Sequence, residues 1–401
     1  MEGCRVCKGE LKQVLDLGEI YPSTFICGDE QLEKAPLRLG LCSKCRLAQL
    51  MDTADLDKMY RYYWYRSALN GSMVTALSDI VDSVQKYVTL EPGHIVVDIG
   101  TNDGSLLNFY PDYIYKVGID PAYNLRIEAE KHCNAFINDY FSYEVLPRDC
   151  KPAKVITAIA MFYDLPDPLK FLQDVKNSLA AGGIFVVQIM DLLSMLKTNG
   201  FDNICAEHLE YYSLDNLLDL FDQVGLEIFD AEYNKVNGGS LRVYACHTGE
   251  RGIQPHLVCM LIKEFLELRD DSLQEFAKRV QELKQKAKQF FEENKEKSTY
   301  GLGASTKANT LLQYFGLDNS KIKAIGEIHP DKFGLKTVGT NIPIVPEKEI
   351  LDANPDYIVL LIWQFADNIL PKLQSYIDNG GKVLVMLPKP RLITQEGEIW
   401  V

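Results

Sequence analysis

The sequence contains no apolar run approaching the roughly 18 residues that a membrane-spanning helix needs, and no basic stretch followed by an apolar one opens it. We therefore expect a soluble, cytoplasmic protein with no membrane partner. Positive charge is in deficit: 42 Lys and Arg stand against 56 Asp and Glu, a net charge of −14. A surface of that sign repels phosphate backbones and argues against nucleic acid as a partner. Short-period repeats and low-complexity segments are missing as well. The hydrophobic (47%) and charged (24%) fractions are those of a globular chain, which excludes the disordered and fibrous classes. At 401 residues the chain exceeds one ordinary core, and two or three domains are expected. What is plentiful is cysteine, with ten residues. In a chain read as cytoplasmic these point to metal ligands or buried thiols rather than to disulfides.

Four of the cysteines form two C-x2-C knuckles, Cys4/Cys7 and Cys42/Cys45, with 34 residues between them. Each knuckle presents two thiolates to one side of a tetrahedral ion, and two knuckles close the shell of a zinc ion with no position left for water. The spacing predicts a structural zinc site; four unrelated thiols or a redox pair is the competing reading. A lobe of about 60 residues buries little core on its own, which is a physical reason for the metal. We place this lobe at residues 1–66, ending in the aromatic stretch Tyr60–Tyr65 and Arg66.

From about Ser72 a helical pattern runs to Val88, where Pro92-Gly93 ends it. Short apolar runs then alternate with amphipathic segments, the signature of a parallel sheet covered by helices. The runs are 94–99, 115–119, 154–160 and 183–189. Two more, 225–232 and 241–246, flank Asn237-Gly238-Gly239-Ser240 and predict an antiparallel ending. One long helix is expected between Pro255 and about Lys297, followed by a second alternation with strands near 298–302, 322–327, 357–362 and 382–387. The expected fold is thus α/β: a zinc-binding N-terminal lobe, a Rossmann-like middle domain (67–250) and a second Rossmann-like domain (251–401) led by the long helix.

The segment Val96–Leu106 reads as an apolar strand, a glycine turn and a helix start. Gly100 and Gly104 allow close backbone approach, while Asp98, Asn102 and Asp103 crowd the turn with acceptors. Such a turn disfavours pyrophosphate and suits the cationic amino-acid end of S-adenosylmethionine. Asp120, 22 residues after Asp98, ends the next apolar run, where a carboxylate accepts both ribose hydroxyls. Asp139 follows beside the expected adenine position, and Ala160-Met161 ends the strand on the same rim.

Taken together, these features resemble the zinc-containing, three-domain sugar C-methyltransferases that act at C-3′ of nucleotide-linked 4-keto-deoxysugars. The resemblance is carried by the two knuckles, the Asp98–Gly104 loop, Ala206–Ser213, Asn237–Arg242 and Gly303–Thr310, whose order spans nearly the whole chain. It implies S-adenosylmethionine as cofactor, a keto-deoxysugar nucleotide as partner, and a C-terminal domain that has no redox cofactor and helps to hold the sugar nucleotide. It also implies proton removal beside the sugar ketone, then attack of the enolate on the cofactor methyl. His208 is the candidate base, because imidazole titrates near neutral pH. Glu207 would orient its ring or raise its pKa, and Tyr211 or Tyr212 would donate to the developing oxyanion. On the substrate side we expect Tyr63, Tyr65, Arg66, Asn237 and Arg242, with Ser305 and Lys307 meeting a phosphate and Glu327 on the rim. His329, Lys332 and Thr340 would lie close by, Lys332 as a solvated surface residue. Relative to the family pattern, Cys205-Ala206 replace a tyrosine and a histidine, and Asp164 and Asn237 each stand where a histidine is frequent. Methyl transfer to oxygen or nitrogen of a similar sugar, or a catalytically drifted sugar-nucleotide or cofactor-binding protein, remain alternative readings. The oligomeric state stays open, a monomer included.

Overall fold

The computed structural model describes residues 3–28, 30 and 32–401. Its middle sheet has seven strands, in the spatial order Leu226–Asn234, Ser240–His247, Leu179–Met190, Ala153–Ile159, Ile95–Ile99, Tyr115–Ile119 and Ala135–Ile137. Six run in one direction, and Ser240–His247 inserts antiparallel to both of its neighbours. The strand alternation separates two cores. Val96, Val155, Ile184 and Val186 face the helix Gly71–Gln85, while Val97, Ile99, Ile156, Ala158, Phe185 and Val187 join the larger core on the other side. The strand Ala135–Ile137 escaped the sequence reading because three residues make no run.

The C-terminal sheet also has seven strands, ordered Ile344–Pro346, Ile325–Glu327, Thr299–Leu302, Tyr357–Leu360, Lys382–Val385, Arg391–Thr394 and Gly397–Trp400. The first five are parallel and the last two antiparallel. Three were not expected: Ile344–Pro346, which is too short, and the closing hairpin, which is half-buried or exposed and so lacks an apolar signature. The single long helix expected before this sheet is two, Pro255–Glu267 and Ser272–Glu293. At the break the Ser272 hydroxyl accepts the Arg269 amide at 2.9 Å, a local turn that competes with the helical bond. The first helix caps its neighbour: the buried Glu264 carboxylate accepts the amides of Leu214 and Asp215 at the start of Leu214–Val224.

The N-terminal lobe is sewn to both domains. Its antiparallel strands Leu11–Ile20, Ala35–Cys42 and Ala48–Leu50 accept a fourth strand, Glu210–Tyr211, from the middle domain. The buried Arg5 guanidinium crosses the same seam, donating to the Leu50 carbonyl at 2.7 Å and facing Glu210 at 3.4 Å. On the other side Phe25–Ile26 pairs with Lys336–Thr337. Of the six cysteines outside the knuckles, Cys150, Cys205 and Cys246 are buried and Cys133 half-buried, but Cys27 and Cys259 are exposed, against the expectation that the remaining thiols pack inside. Among the described residues no helix is long and apolar enough to cross a membrane.

Candidate active site

A cavity of about 1370 Å³ opens where the carboxyl ends of the two parallel sheets face each other. Ligands bind at this edge of open α/β sheets, because the loops leaving the strands diverge there. The volume exceeds the ~300–1,000 Å³ of a single-ligand pocket, so two ligands fit side by side.

On the middle-domain side the wall contains Asp98, Gly100, Asn102, Asp120, Asp139, Ala160 and Met161, as the motif spacing predicts. Gly100 has φ +70°, and a Cβ there would lie 3.0 Å from Met161 Cγ. Asp120 is aimed by two backbone amides, Asn102 at 2.8 Å and Ala122 at 2.9 Å. Burial pushes the Asp98 carboxyl up to about 7 and that of Asp120 up to about 6. Neither has a cationic partner among the described residues, and a ligand that brings positive charge and hydroxyl donors supplies what they lack. Asn102 is partly spoken for, since its amide holds Tyr65 O and Ser67 N at 3.0 Å each and so pins the aromatic stretch over the turn. Gly104 does not line the cavity. Its φ is +79° and a Cβ would meet Ala129 backbone at 3.1 Å, so it serves helix packing rather than ligand contact.

On the other side the wall holds Tyr63, Tyr65, Arg66, Asn237, Ser305, Lys307 and Glu327. Arg66 pairs with Asp331 at 2.7 Å, tying the aromatic stretch to the C-terminal domain. Ser305 caps the helix Thr306–Phe315 by accepting the Ala308 amide. Arg242 is elsewhere. Its guanidinium is buried between Asp79 (2.9 Å) and Glu232 (3.0 Å), a strut inside the middle domain rather than a substrate ligand. Lys332 is not solvated: it is buried, donates to the Ala304 carbonyl at 2.8 Å and pairs with Glu327 at 3.4 Å. Thr340 bonds to Thr337 away from the cavity.

His208 lies at the junction of the two halves. Its Nδ1 is 2.7 Å from the Asn203 carbonyl, which can only accept, so Nδ1 carries the hydrogen and Nε2 keeps its lone pair. The ring packs edge-on against Tyr163, with centroids 4.5 Å apart. Burial, then the nearby charge of Lys307, pulls its pKa down to about 3, so the ring is neutral across the physiological range. The residues expected to assist it are turned away. Glu207 is buried with its carboxyl toward Cys205 and Ser23, and does not orient the ring. Tyr211 donates to the His208 carbonyl at 3.0 Å, and Tyr212 packs on Phe162; neither lines the cavity. The strand Glu210–Tyr211 explains this, because pairing with the zinc lobe draws that segment into the core. Asp164 does line the cavity, its Oδ1 without a partner among the described residues, and burial and the charge of Glu207 hold its carboxyl well above the usual range. Asn203, which anchors both His208 and Lys307, belongs to no motif; only the fold reveals it.

At the far end of the N-terminal lobe the thiols of Cys4, Cys7, Cys42 and Cys45 all lie within 4.8 Å of one another. The Cys4–Cys45 and Cys7–Cys42 sulfurs are 3.5 and 3.4 Å apart, near the ~3.8 Å edge of a tetrahedron with 2.3 Å bonds. Gln49 Nε2 donates to Cys4 Sγ at 3.1 Å, and the Lys44 and Cys45 amides face Cys42 Sγ, supporting negative sulfur. The donor set fits a structural zinc ion.

Three family models match successive stretches of the chain: a zinc binding domain over residues 4–60, a methyltransferase domain over 72–231, and a C-methyltransferase C-terminal domain over 235–388. The C-methyltransferase NovU of Streptomyces niveus is 29% identical over 413 residues, covering 100% of this chain and 98% of its own. From end to end the chain is similar to C-methyltransferases that join a zinc binding domain, a methyltransferase domain and a C-terminal domain. It is a methyltransferase dependent on S-adenosylmethionine, and carries a structural zinc site. Among solved structures, a S-adenosylmethionine-dependent methyltransferase from Clostridium acetobutylicum is similar with a TM-score of 0.36 and 13% identity, covering 44% of this chain and 92% of that one. The plantazolicin methyltransferase BpumL, in complex with SAH, is similar with a TM-score of 0.36 and 13% identity, covering 43% and 83%.

Proposed function

We propose that this C-methyltransferase acts on a nucleotide-linked keto-deoxysugar, and that His208 Nε2 removes the proton from the carbon beside the ketone before methyl transfer. The observation that carries this reading is the state of His208: a neutral imidazole, locked by Asn203 through Nδ1, on the wall shared by both halves of a two-ligand cavity. A carbon acid needs a base at the transfer point, whereas a preformed amine nucleophile does not.

In this reading Asp98, Gly100, Asn102, Asp120, Asp139, Ala160 and Met161 hold S-adenosylmethionine, which supplies an electrophilic methyl group when bound. Tyr63, Tyr65, Arg66, Asn237, Ser305 and Glu327 line the sugar-nucleotide half, and the exposed Lys372 on the same wall offers charge to a diphosphate. The division of labour follows residues 1–66, 67–250 and 251–401.

The test is a mass spectrum of products from a panel of keto-sugar nucleotides, with solvent-deuterium incorporation followed in parallel. We expect carbon-bound methyl in the product, and deuterium uptake at the carbon beside the ketone in substrate recovered without cofactor, both lost in His208→Asn. Methyl found on oxygen or nitrogen, or full turnover by His208→Asn, would overturn the reading.

A further inference from the structure

We infer that Lys307 is a catalytic residue of this reaction, its ammonium group stabilising the charge that gathers on the substrate's carbonyl oxygen as His208 withdraws the neighbouring proton. The inference rests on the keto-sugar reading above and replaces the phosphate contact that the glycine turn had suggested for this lysine. In the step concerned, the C–H bond breaks and its proton passes to His208 Nε2. The bonding pair becomes the new C=C bond, and the carbonyl π pair moves onto oxygen, leaving an enolate opposite an imidazolium.

Three observations converge on Lys307. First, it reaches across the domain boundary: Nζ lies 2.5 Å from Asn203 Oδ1, the side chain of the residue whose backbone carbonyl anchors His208 Nδ1. One asparagine therefore sets the positions of base and ammonium together. Second, among the described residues Lys307 has no carboxylate ion pair, although Arg66, Lys170 and Lys332 on the same cavity wall each have one. The acids that face it, Asp164, Asp202 and Glu207, are buried, and burial raises the pKa of each, while Cys205 is held as a neutral thiol in the same way. With no ion-pair partner among the described residues, the Lys307 side chain lines the cavity. Third, Lys307 stands in the first turn of the helix Thr306–Phe315, where the helix dipole disfavours a cation. Local stability gives no reason for a lysine there; an anion in the cavity does.

The energetic argument runs the same way. An imidazole kept neutral down to acid pH is always available as a base but is a weak one, so the barrier to breaking a C–H bond has to be lowered at the oxygen end. The Lys307 charge that depresses the His208 pKa is the charge that stabilises the enolate, and once the enolate forms it lies between two cations.

The test compares wild type with Lys307→Met and Lys307→Gln in three measurements: deuterium exchange into the keto-sugar nucleotide without cofactor, binding of the free nucleoside diphosphate by calorimetry, and the pH profile of exchange. Thermal melting and S-adenosylmethionine binding show that the variants are folded. We expect exchange to fall roughly 10²–10³-fold, as for loss of one oxyanion donor, with diphosphate affinity changed less than about twofold. In residual activity the acid limb should move to higher pH, because His208 loses a neighbouring positive charge. Unchanged exchange together with tenfold weaker diphosphate binding would overturn the inference and return Lys307 to the phosphate. Loss of exchange with no movement of the acid limb would mark a merely structural lysine and overturn it too. Wild-type protein that neither exchanges nor methylates any keto-sugar nucleotide would instead remove the substrate reading on which the inference stands.

Discussion

The two parallel sheets each end a strand in a glycine turn that opens toward the shared cavity, one at Gly100 and one at Gly303, both with positive φ (+70° and +91°). Topology is the same and charge is opposite. Among the described residues, Asp98 and Asp120 around Gly100 are carboxyls without a cation, and Lys307 beyond Gly303 is a cation without a carboxylate ion pair. A fold of this kind supplies a backbone edge where a ligand can approach, and the side chains next to that edge decide the sign of the ligand. In the function proposed above, one turn would meet a sulfonium cofactor and the other an anion formed during the reaction. For a chain of net charge −14, the positive turn has to be local, because the overall field repels an anionic substrate.

The comparison can be broken most strongly at the junction. His208→Asn should lower deuterium exchange and methyl transfer by roughly 10²–10⁴-fold while S-adenosylmethionine affinity stays the same, measured by single-turnover kinetics and calorimetry; an equal loss of both would mean that the two halves are not separate sites. Next come the glycines themselves. A Cβ at Gly303 would lie 2.5 Å from Ile362 Cγ1, so Gly303→Ala should cost about 2–4 kcal/mol of stability in urea unfolding, from overpacking plus a left-handed backbone. Gly100→Ala meets only the flexible Met161 at 3.0 Å and should cost about 1–2 kcal/mol, seen chiefly as weaker cofactor binding.

A subtler difference lies in proton linkage. Asp98 and Asp120 have folded pKa values of about 7 and about 6, above their ordinary value of 3.8. The folded, ligand-free protein therefore holds protons that the unfolded chain releases, and these two groups subtract stability as pH rises from about 4 to about 7. Cofactor binding favours their charged forms, so protons should be released and affinity should rise between pH 5 and 8. Calorimetry in buffers of different ionisation enthalpy measures this; no proton release near pH 6.5 would show that the acids do not meet the cofactor. Substitution at the Gly303 side should leave that linkage intact. The smallest effect is expected from Lys372→Met, about a two- to fivefold rise in KM for the sugar nucleotide, since an exposed charge contributes about 0.5–1 kcal/mol.

Local features were legible wherever the backbone or a ligand set demands particular residues at fixed spacing. The zinc knuckles, the Gly100 turn and the Asp120 partner belong to this class, and all four thiols and both acids stand where the spacing puts them. Motif membership alone was a poorer guide. Glu207, Tyr211, Tyr212 and Arg242 share motifs with His208 and Asn237, yet each is buried away from the cavity or committed to another partner. A motif conserves a stretch of backbone, and neighbouring residues in it point to different sides; which side is the cavity depends on what the stretch packs against. Lys332 shows the reverse, a charge that looks solvated in sequence and is buried by its ion pair with Glu327.

By itself, then, the sequence determined the α/β organisation, the four-thiol cluster and the acidic character of the Gly100 turn, because these follow from local periodicity, glycine geometry and short-range ligand spacing. Only the tertiary structure decided what surrounds His208. Its tautomer comes from the Asn203 carbonyl, its depressed pKa from burial and from Lys307 about a hundred residues away in sequence, and the exclusion of Glu207 from the strand that the zinc lobe takes at Glu210–Tyr211. Those are contacts between domains, and desolvation and charge act through space rather than along the chain.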